Sequence, residues 1–210
     1  MNKTITLLSS IALAVVIASC GNEQKPAEET TTAAEATGEE TSYTINTDST
    51  SHVMWKGVML GVKEHTGLVN FTDGKITAKG NQLTGGSFTV DMKSIKVTDK
   101  NYDEKSGYGV NKFLGHIASA DFFDIENNPT ATFTITSVTG NEAAGTLKIR
   151  GKENSEMLKN ISITENNGTI TAKGTLTFDR KKYDVAFDTG AKDMVISNDI
   201  ELAVELRGKK

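Results

Sequence analysis

Between Ser87 and Lys93 every second residue is apolar: Phe88, Val90 and Met92 alternate with Thr89 and Asp91. The same two-residue period runs through residues 132–136, 146–150 and 175–179. Near the C-terminus Ile200, Leu202, Val204 and Leu206 alternate with Glu201, Ala203, Glu205 and Arg207. Successive side chains of an extended strand point to opposite faces, so this period predicts strands with one apolar and one polar face. Less regular versions predict further strands at 43–47, 52–58, 67–71, 75–79, 161–164, 169–173 and 182–187. Asp73-Gly74, Gly80-Asn81, Gly140-Asn141 and Asn166-Asn167-Gly168 supply the positive φ angles that hairpins use. Short connections between consecutive strands give an antiparallel meander, and closing it into a barrel removes the exposed edges. The expected class is therefore all-β.

One stretch breaks the period. Over residues 101–124, Phe113, Leu114 and Ile117 fall at helical spacing and Phe122 and Phe123 follow. This predicts a short helix with an aromatic foot, lying across one mouth of the barrel or against the sheet, because so short a helix cannot stand alone. Asn128-Pro129 then restarts the chain in an extended conformation.

The apolar faces define the predicted interior. The N-terminal strands give it Val53, Trp55, Val69 and Phe71, and the middle of the chain gives Phe88, Val90, Met92, Phe133, Ile135, Leu147 and Ile149. The C-terminal part adds Leu176, Phe178, Val185, Phe187, Leu202 and Val204. A barrel of about eight strands is either filled by its own side chains or holds one slender ligand, and the period does not choose between them. Gly57, Gly67, Ala172 and Gly174 share this face, where they leave space or mark a bulge or a corner.

The N-terminus has a different character. Lys3, an apolar run over 5–17 and Ile17-Ala18-Ser19-Cys20 read as a secretory signal, residues 1–20, too short to span a bilayer and ending in a lipobox. Cys20 is the only cysteine. Carrying acyl chains such as palmitate, it becomes the membrane anchor of a bacterial envelope protein, each buried methylene contributing about 0.8 kcal/mol. Nothing is then left for a disulfide, a thiolate metal site or a cysteine nucleophile. Gly21 and Asn22, where an aspartate would favour inner-membrane retention, point to the outer membrane, on its periplasmic face or at the cell surface. Residues 21–42 hold six glutamates against Lys25, with no aromatic or large aliphatic residue, and read as an acidic flexible linker. The domain at 43–210 is then close to neutral and lacks the positive footprint of a nucleic-acid binder.

Catalytic groupings fail on spacing. His52, His65 and His116 are the only histidines, and none pairs at metal-ligand spacing. Asp121 and Asp124 flank Phe122 and Phe123 as turn formers, and Ser119 has no nucleophile elbow around it. Gly85-Gly86 lacks the ending of a phosphate loop, and Arg180-Lys181-Lys182 reads as a solvated hairpin tip. His116, beside Leu114 and Ile117, is a hydrogen-bonded structural residue at the mouth or a contact for a phosphate or hydroxyl head group.

Three blocks carry a family resemblance: GGSFTVDMKSI at 85–95, LGHIASADFFDIENNPTATF at 114–133 and GTLKIRG at 145–151. They resemble the YceI-like family of bacterial envelope proteins, and the likeness extends over essentially all of 43–207. The resemblance implies an antiparallel, eight-stranded, lipocalin-like barrel with a short helix near one mouth. It implies a polyisoprenoid or other long amphiphilic lipid as ligand, such as a polyprenyl quinone or polyprenyl phosphate, and in several members a homodimer. The interior residues named above would then contact the lipid, with Leu114, His116, Ile117 and Phe122 at the mouth near its head group. The chain departs from the family after Gly151, where 151–157 lacks a proline, so the rim is expected to differ there. Two functions remain open: a non-enzymatic carrier or store of the lipid with no other cofactor, and a stress-associated structural or interaction protein with a filled barrel.

Overall fold

The computed structural model describes residues 38–60, 63–103, 105, 107–190 and 195–210. The expected signal at 1–20, with Cys20, and the linker as far as residue 37 lie outside them. The strands are β1 (Glu40–Ile45), β2 (His52–Met59), β3 (Lys63–Lys79), β4 (Gln82–Val97), β5 (Thr130–Thr139), β6 (Glu142–Ile149), β7 (Lys152–Asn166), β8 (Thr169–Asp179) and β9 (Ile196–Lys209). A helix, α1 (Val110–Ala118), follows β4, and a 3-10 turn (Arg180–Tyr183) follows β8.

Hydrogen bonding runs in the order β1-β3-β2-β9-β8-β7-β6-β5-β4 and closes through β3 and β4. β1 and β2 both pair with β3 and β9, at different heights, so they are two halves of one interrupted stave. The result is a closed, eight-stave antiparallel barrel with one short helix, the architecture expected from the alternation and the resemblance. At the interruption Arg207 of β9, which pairs with Thr171 on its other side, is met by the ends of both halves: its carbonyl accepts from the Asn46 N–H at 2.7 Å, and the hydroxyl of Ser51, 0% exposed, accepts from the Arg207 N–H at 3.0 Å and donates to the Arg207 carbonyl at 3.3 Å.

Register explains the inward face. Phe88 lies opposite Phe133 and Phe133 opposite Leu147, while Leu202 lies opposite both Leu176 and Trp55. Directly opposed residues of an antiparallel pair share a face, so one apolar set fixes its neighbours in turn.

Four local expectations are corrected. Segments 67–71 and 75–79 are one strand, because Asp73-Gly74 sits at a register shift rather than a hairpin. There a side chain on Gly74 would collide with Ile45 of β1, so the glycine permits a close approach instead of a turn. Segments 169–173 and 175–179 likewise join as β8. Residues 182–187 are not a strand, since the 3-10 turn opens them and Asp184 ends it with a left-handed φ of 58°. Arg180 is not a solvated tip but is 2% exposed, its guanidinium donating to the carbonyls of Ser197, Val185, Phe187 and Ile196.

The first half of β7, where the chain departs from the family pattern, pairs with β6, but β7 and β8 pair only from Leu158 and Leu176 upward. Beside the unpaired half, buried Tyr183 donates its hydroxyl to Glu156 Oε1 at 3.0 Å, and Asn154 Nδ2 donates to the Lys182 carbonyl at 3.1 Å. At the far end Tyr43, Ile45, Ala78, Ala143 and Ile170 are buried together in the core.

The barrel interior as candidate ligand site

Inside the staves lies a cavity of about 560 Å³ with an almost wholly hydrocarbon wall. Along β9 its lining runs from Ile196 to Leu206. That stretch corresponds to about 25 Å of barrel axis for a strand rising about 3.4 Å per residue and tilted about 40°. The size is that of a ligand pocket, which typically occupies about 300–1,000 Å³.

Most of the expected lining is brought together here. Val53, Trp55, Val69, Phe71, Phe88, Val90, Met92, Phe133, Ile135, Leu147, Ile149, Leu176, Phe178, Phe187, Leu202 and Val204 all border the cavity. Val185 does not: it is fully buried in the packing around Tyr183 and Phe178, behind the wall. Of the mouth residues His116, Ile117 and Phe122 border the cavity, whereas Leu114 is half-buried on α1 and does not. Gly57, Ala172 and Gly174 line it, but Gly67 is covered by the Trp55 ring and the Lys96 carbonyl.

Alternation missed some of the wall for identifiable reasons. Ile95 faces inward because β4 carries extra residues opposite β3, between Asp91 and Lys96. There Ser94 Oγ accepts from Asn70 N–H at 2.8 Å and donates to the Asp91 carbonyl at 2.6 Å, bridging the bulge. Leu158, Ile161 and Ile163 line the cavity from β7, whose parity changes at a bulge where Asn160 takes φ 53°. His65 was legible in principle, being two and four residues before Gly67 and Val69 on the same face.

The helix closes over this wall. Phe113 lies 4.4 Å from the His65 ring and 6.4 Å from Trp55, and His116 stands edge-on to Phe187 at 4.3 Å. Ser119 donates its hydroxyl to the His116 carbonyl at 2.7 Å, so it serves the helix end. Asp124, with φ 49°, organises the next turn by accepting from Asn127 Nδ2 at 2.9 Å.

His65, 6% exposed, is the unexpected member of the site. Its Nδ1 lies 3.4 Å from Asp99 Oδ1 and its Nε2 lies 3.4 Å from the Tyr108 hydroxyl. Burial pushes its pKa below the ordinary imidazole value, against the opposing pull of Asp99. Burial alone would raise Asp99, but N–H donors from Thr66 and Asn101 together with the neighbouring His65 outweigh it and hold the carboxyl low. Tyr102 and Tyr108 are pushed up by burial and by the Asp99 charge. Tyr102 also donates to Asp99 Oδ2 at 3.3 Å, so the cluster ties the segment before α1 to β3. Among the described residues no three His, Cys, Asp or Glu side chains gather as a metal site.

A model of the YceI-like domain matches residues 43–207. The chain belongs to the YceI-like family. Solved structures share the YceI-like fold at low identity. BcnA of Burkholderia cenocepacia is 20% identical, with a TM-score of 0.58 over 77% of this chain and 99% of its own. A polyisoprenoid binding domain from Saccharophagus degradans, implicated in plant cell wall breakdown, is 13% identical, with a TM-score of 0.56 over 80% of this chain and 97% of its own. A mutant CJ YCEI protein with a monobromobimane guest is 18% identical, with a TM-score of 0.51 over 68% of this chain and 84% of its own. No match was found among curated proteins. In this YceI-like chain the block at 114–133 forms the second half of α1, the turn after it and the start of β5, which together frame the mouth.

Proposed function

We propose that this protein takes up a long polyisoprenoid, holds its tail in the barrel, and stores, shields or carries it in the bacterial envelope while anchored through acylated Cys20. The observation that carries the reading is the hydrocarbon-walled cavity of about 560 Å³. With nothing against it, a wall of that extent forgoes the packing contacts that a filled interior would give it. A tail offsets this, since each methylene removed from water contributes about 0.8 kcal/mol. Family membership and the polyisoprenoid binding domain among its structural neighbours support the same ligand class. The alternative of a filled barrel acting through its surface fits a void of this size poorly. The reading assigns the chain no catalytic step.

Native mass spectrometry of the full chain purified from bacterial membranes tests it. A bound mass, identified after solvent extraction as a prenyl lipid, is the expected result, and a ligand-free protein from lipid-replete cells overturns it. The anchor is tested separately: a palmitate analogue should label the chain, and Cys20→Ser should abolish the label.

A further inference from the structure

Both ends of the tube are obstructed. At the far end Tyr43, Ile45, Ala78, Ala143 and Ile170 are packed into the core, and at the mouth α1 brings Phe113 against His65 and Trp55. A tail that lies inside must still enter and leave. Proteins open first where few buried contacts and exposed hydrogen bonds hold them, so the weakest line of the wall is the natural route.

That line runs between β7 and β8. Residues 152–157 pair with β6 and 177–179 with β9, but no ladder joins these two halves to each other. Beyond them Leu158 pairs with Leu176 and Lys159 with Thr175, and then the register shifts at the bulge of Asn160. The ladder between β4 and β5 also ends early, at Ser87 and Thr134, but there Leu83, Ile135 and Val138 pack into the far-end core.

The 3-10 turn fills the gap, and its two sides are held differently. On the β9 side the buried Arg180 guanidinium ties the turn to the carbonyls of Ser197 and Ile196. On the β7 side the contacts come from polar side chains: Tyr183 donates to Glu156 Oε1 at 3.0 Å, and Asn154 Nδ2 to the Lys182 carbonyl at 3.1 Å. The ammonium groups of Lys182 and Lys152 face Glu156 at 3.8 Å and Asp184 at 2.9 Å, and Arg150 donates to the Asp184 carbonyl. Lys152 and Asp184 are largely exposed, and such pairs hold weakly because water competes for them. Outside the seam lies a depression of about 270 Å³ between Glu156, Met157, Lys159, Thr175 and Thr177. Inside it, Leu158, Leu176 and Phe178 border the cavity.

Resting on the carrier reading, we propose that this seam is a side portal for the lipid tail. β7 parts from β8 and the 3-10 turn, the turn stays with β9, and the Tyr183–Glu156 contact is the latch. A slit open along the strands admits a flexible tail along its length, so the tail is not threaded past α1.

The test uses the full chain loaded with a fluorescent polyprenol and reads its transfer to and from phosphatidylcholine vesicles. Met157→Cys with Thr177→Cys sets two thiols across the seam, one residue beyond the Leu158–Leu176 pair. Lys63→Cys with Asn101→Cys sets two at the mouth, where Lys63 Nζ lies 3.5 Å from the Asn101 carbonyl. A short, reducible bifunctional thiol reagent closes either pair, and mass spectrometry confirms closure. Closing the seam should slow transfer at least tenfold in both directions, leave the amount bound at equilibrium unchanged, and be reversed by reductant. Closing the mouth pair should leave the rate within twofold. Single-cysteine variants given the same reagent should keep the parental rate, which removes Cys20 and one-ended labelling as causes. Tyr183→Phe, without any cross-link, should speed transfer about three- to fivefold at unchanged equilibrium binding, a result that a purely structural role would not produce. Unchanged transfer through a closed seam, or equal slowing by the mouth pair, overturns the portal and leaves the carrier reading intact. Failure of the unmodified chain to bind the polyprenol overturns the carrier reading, and the portal with it.

Discussion

Phe133 and Thr134 are neighbours in sequence and opposites in environment. Phe133 faces the cavity between Phe88 and Leu147, whereas Thr134 is exposed on the outer face between Ser87 and Thr146. Phe133→Asp should lower stability by several kcal/mol in a denaturant titration, because a carboxylate inside the tube has no partner. Thr134→Asp should stay within about 0.5 kcal/mol of the parent. Equal effects would place the strand faces wrongly. Arg180 is governed by the same accounting of buried polar groups. Among the described residues its guanidinium makes no ion pair, Asp179 and Asp188 acting on it only through their charge, and it fills the acceptors of four carbonyls, which fastens the segment carrying Val185 and Phe187 to the start of β9. Arg180→Met keeps the volume but leaves those carbonyls unpaired, and should cost about 3 kcal/mol in thermal or denaturant unfolding.

At the scale of elements, what could be read from the chain follows from what a two-residue period contains. It reports faces, so β4, β5, β6, β8 and β9 and nearly all their inward residues were legible. Phe113 and Ile117 likewise announced α1 through their spacing. It does not report where a strand slips, so Ile95 and Ile161 were missed beyond their bulges, and Asp73-Gly74 passed for a turn. Nor does it show which groups meet across a slipped register: Asp99 follows β4 and His65 lies in β3, and the shifted register of the β3–β4 hairpin, which pairs Gly67 with Val97, sets them side by side. That pair makes the α1 end sensitive to acid. With its folded pKa below the unfolded value of about 6.5, His65 contributes stability that is fully present above about pH 6.5 and is lost as pH falls through the lowered value. Asp99, also lowered, acts in the same direction further down. Hydrogen exchange should therefore show α1 and the preceding segment losing protection, relative to β5 and β6, between pH 7 and 5. His65→Phe should flatten that dependence, and an unchanged profile in the variant would remove His65 as its cause.

For the whole molecule, a barrel that must stay hollow to work gives up packing that a solid core would have. Natural sequences sit above a stability threshold rather than at an optimum, so filling such a space should stabilise the fold at the expense of its use. Gly57 is the place to fill it. It borders the cavity, and among the described residues a Cβ added there would meet only Ile200 Cδ1 at 3.5 Å, an ordinary contact. A leucine at this position also relieves the weakness of glycine within a strand. Gly57→Leu should raise the thermal midpoint of the lipid-free chain by several degrees, in keeping with about 1 kcal/mol or more of added burial. The same change should reduce the amount of prenyl lipid copurifying with the protein, because the leucine occupies the path of the tail. The two effects separate the functions the barrel could serve. A scaffold acting through its surface would gain stability and keep its full activity in cells, whereas a carrier would become more stable and worse at its task.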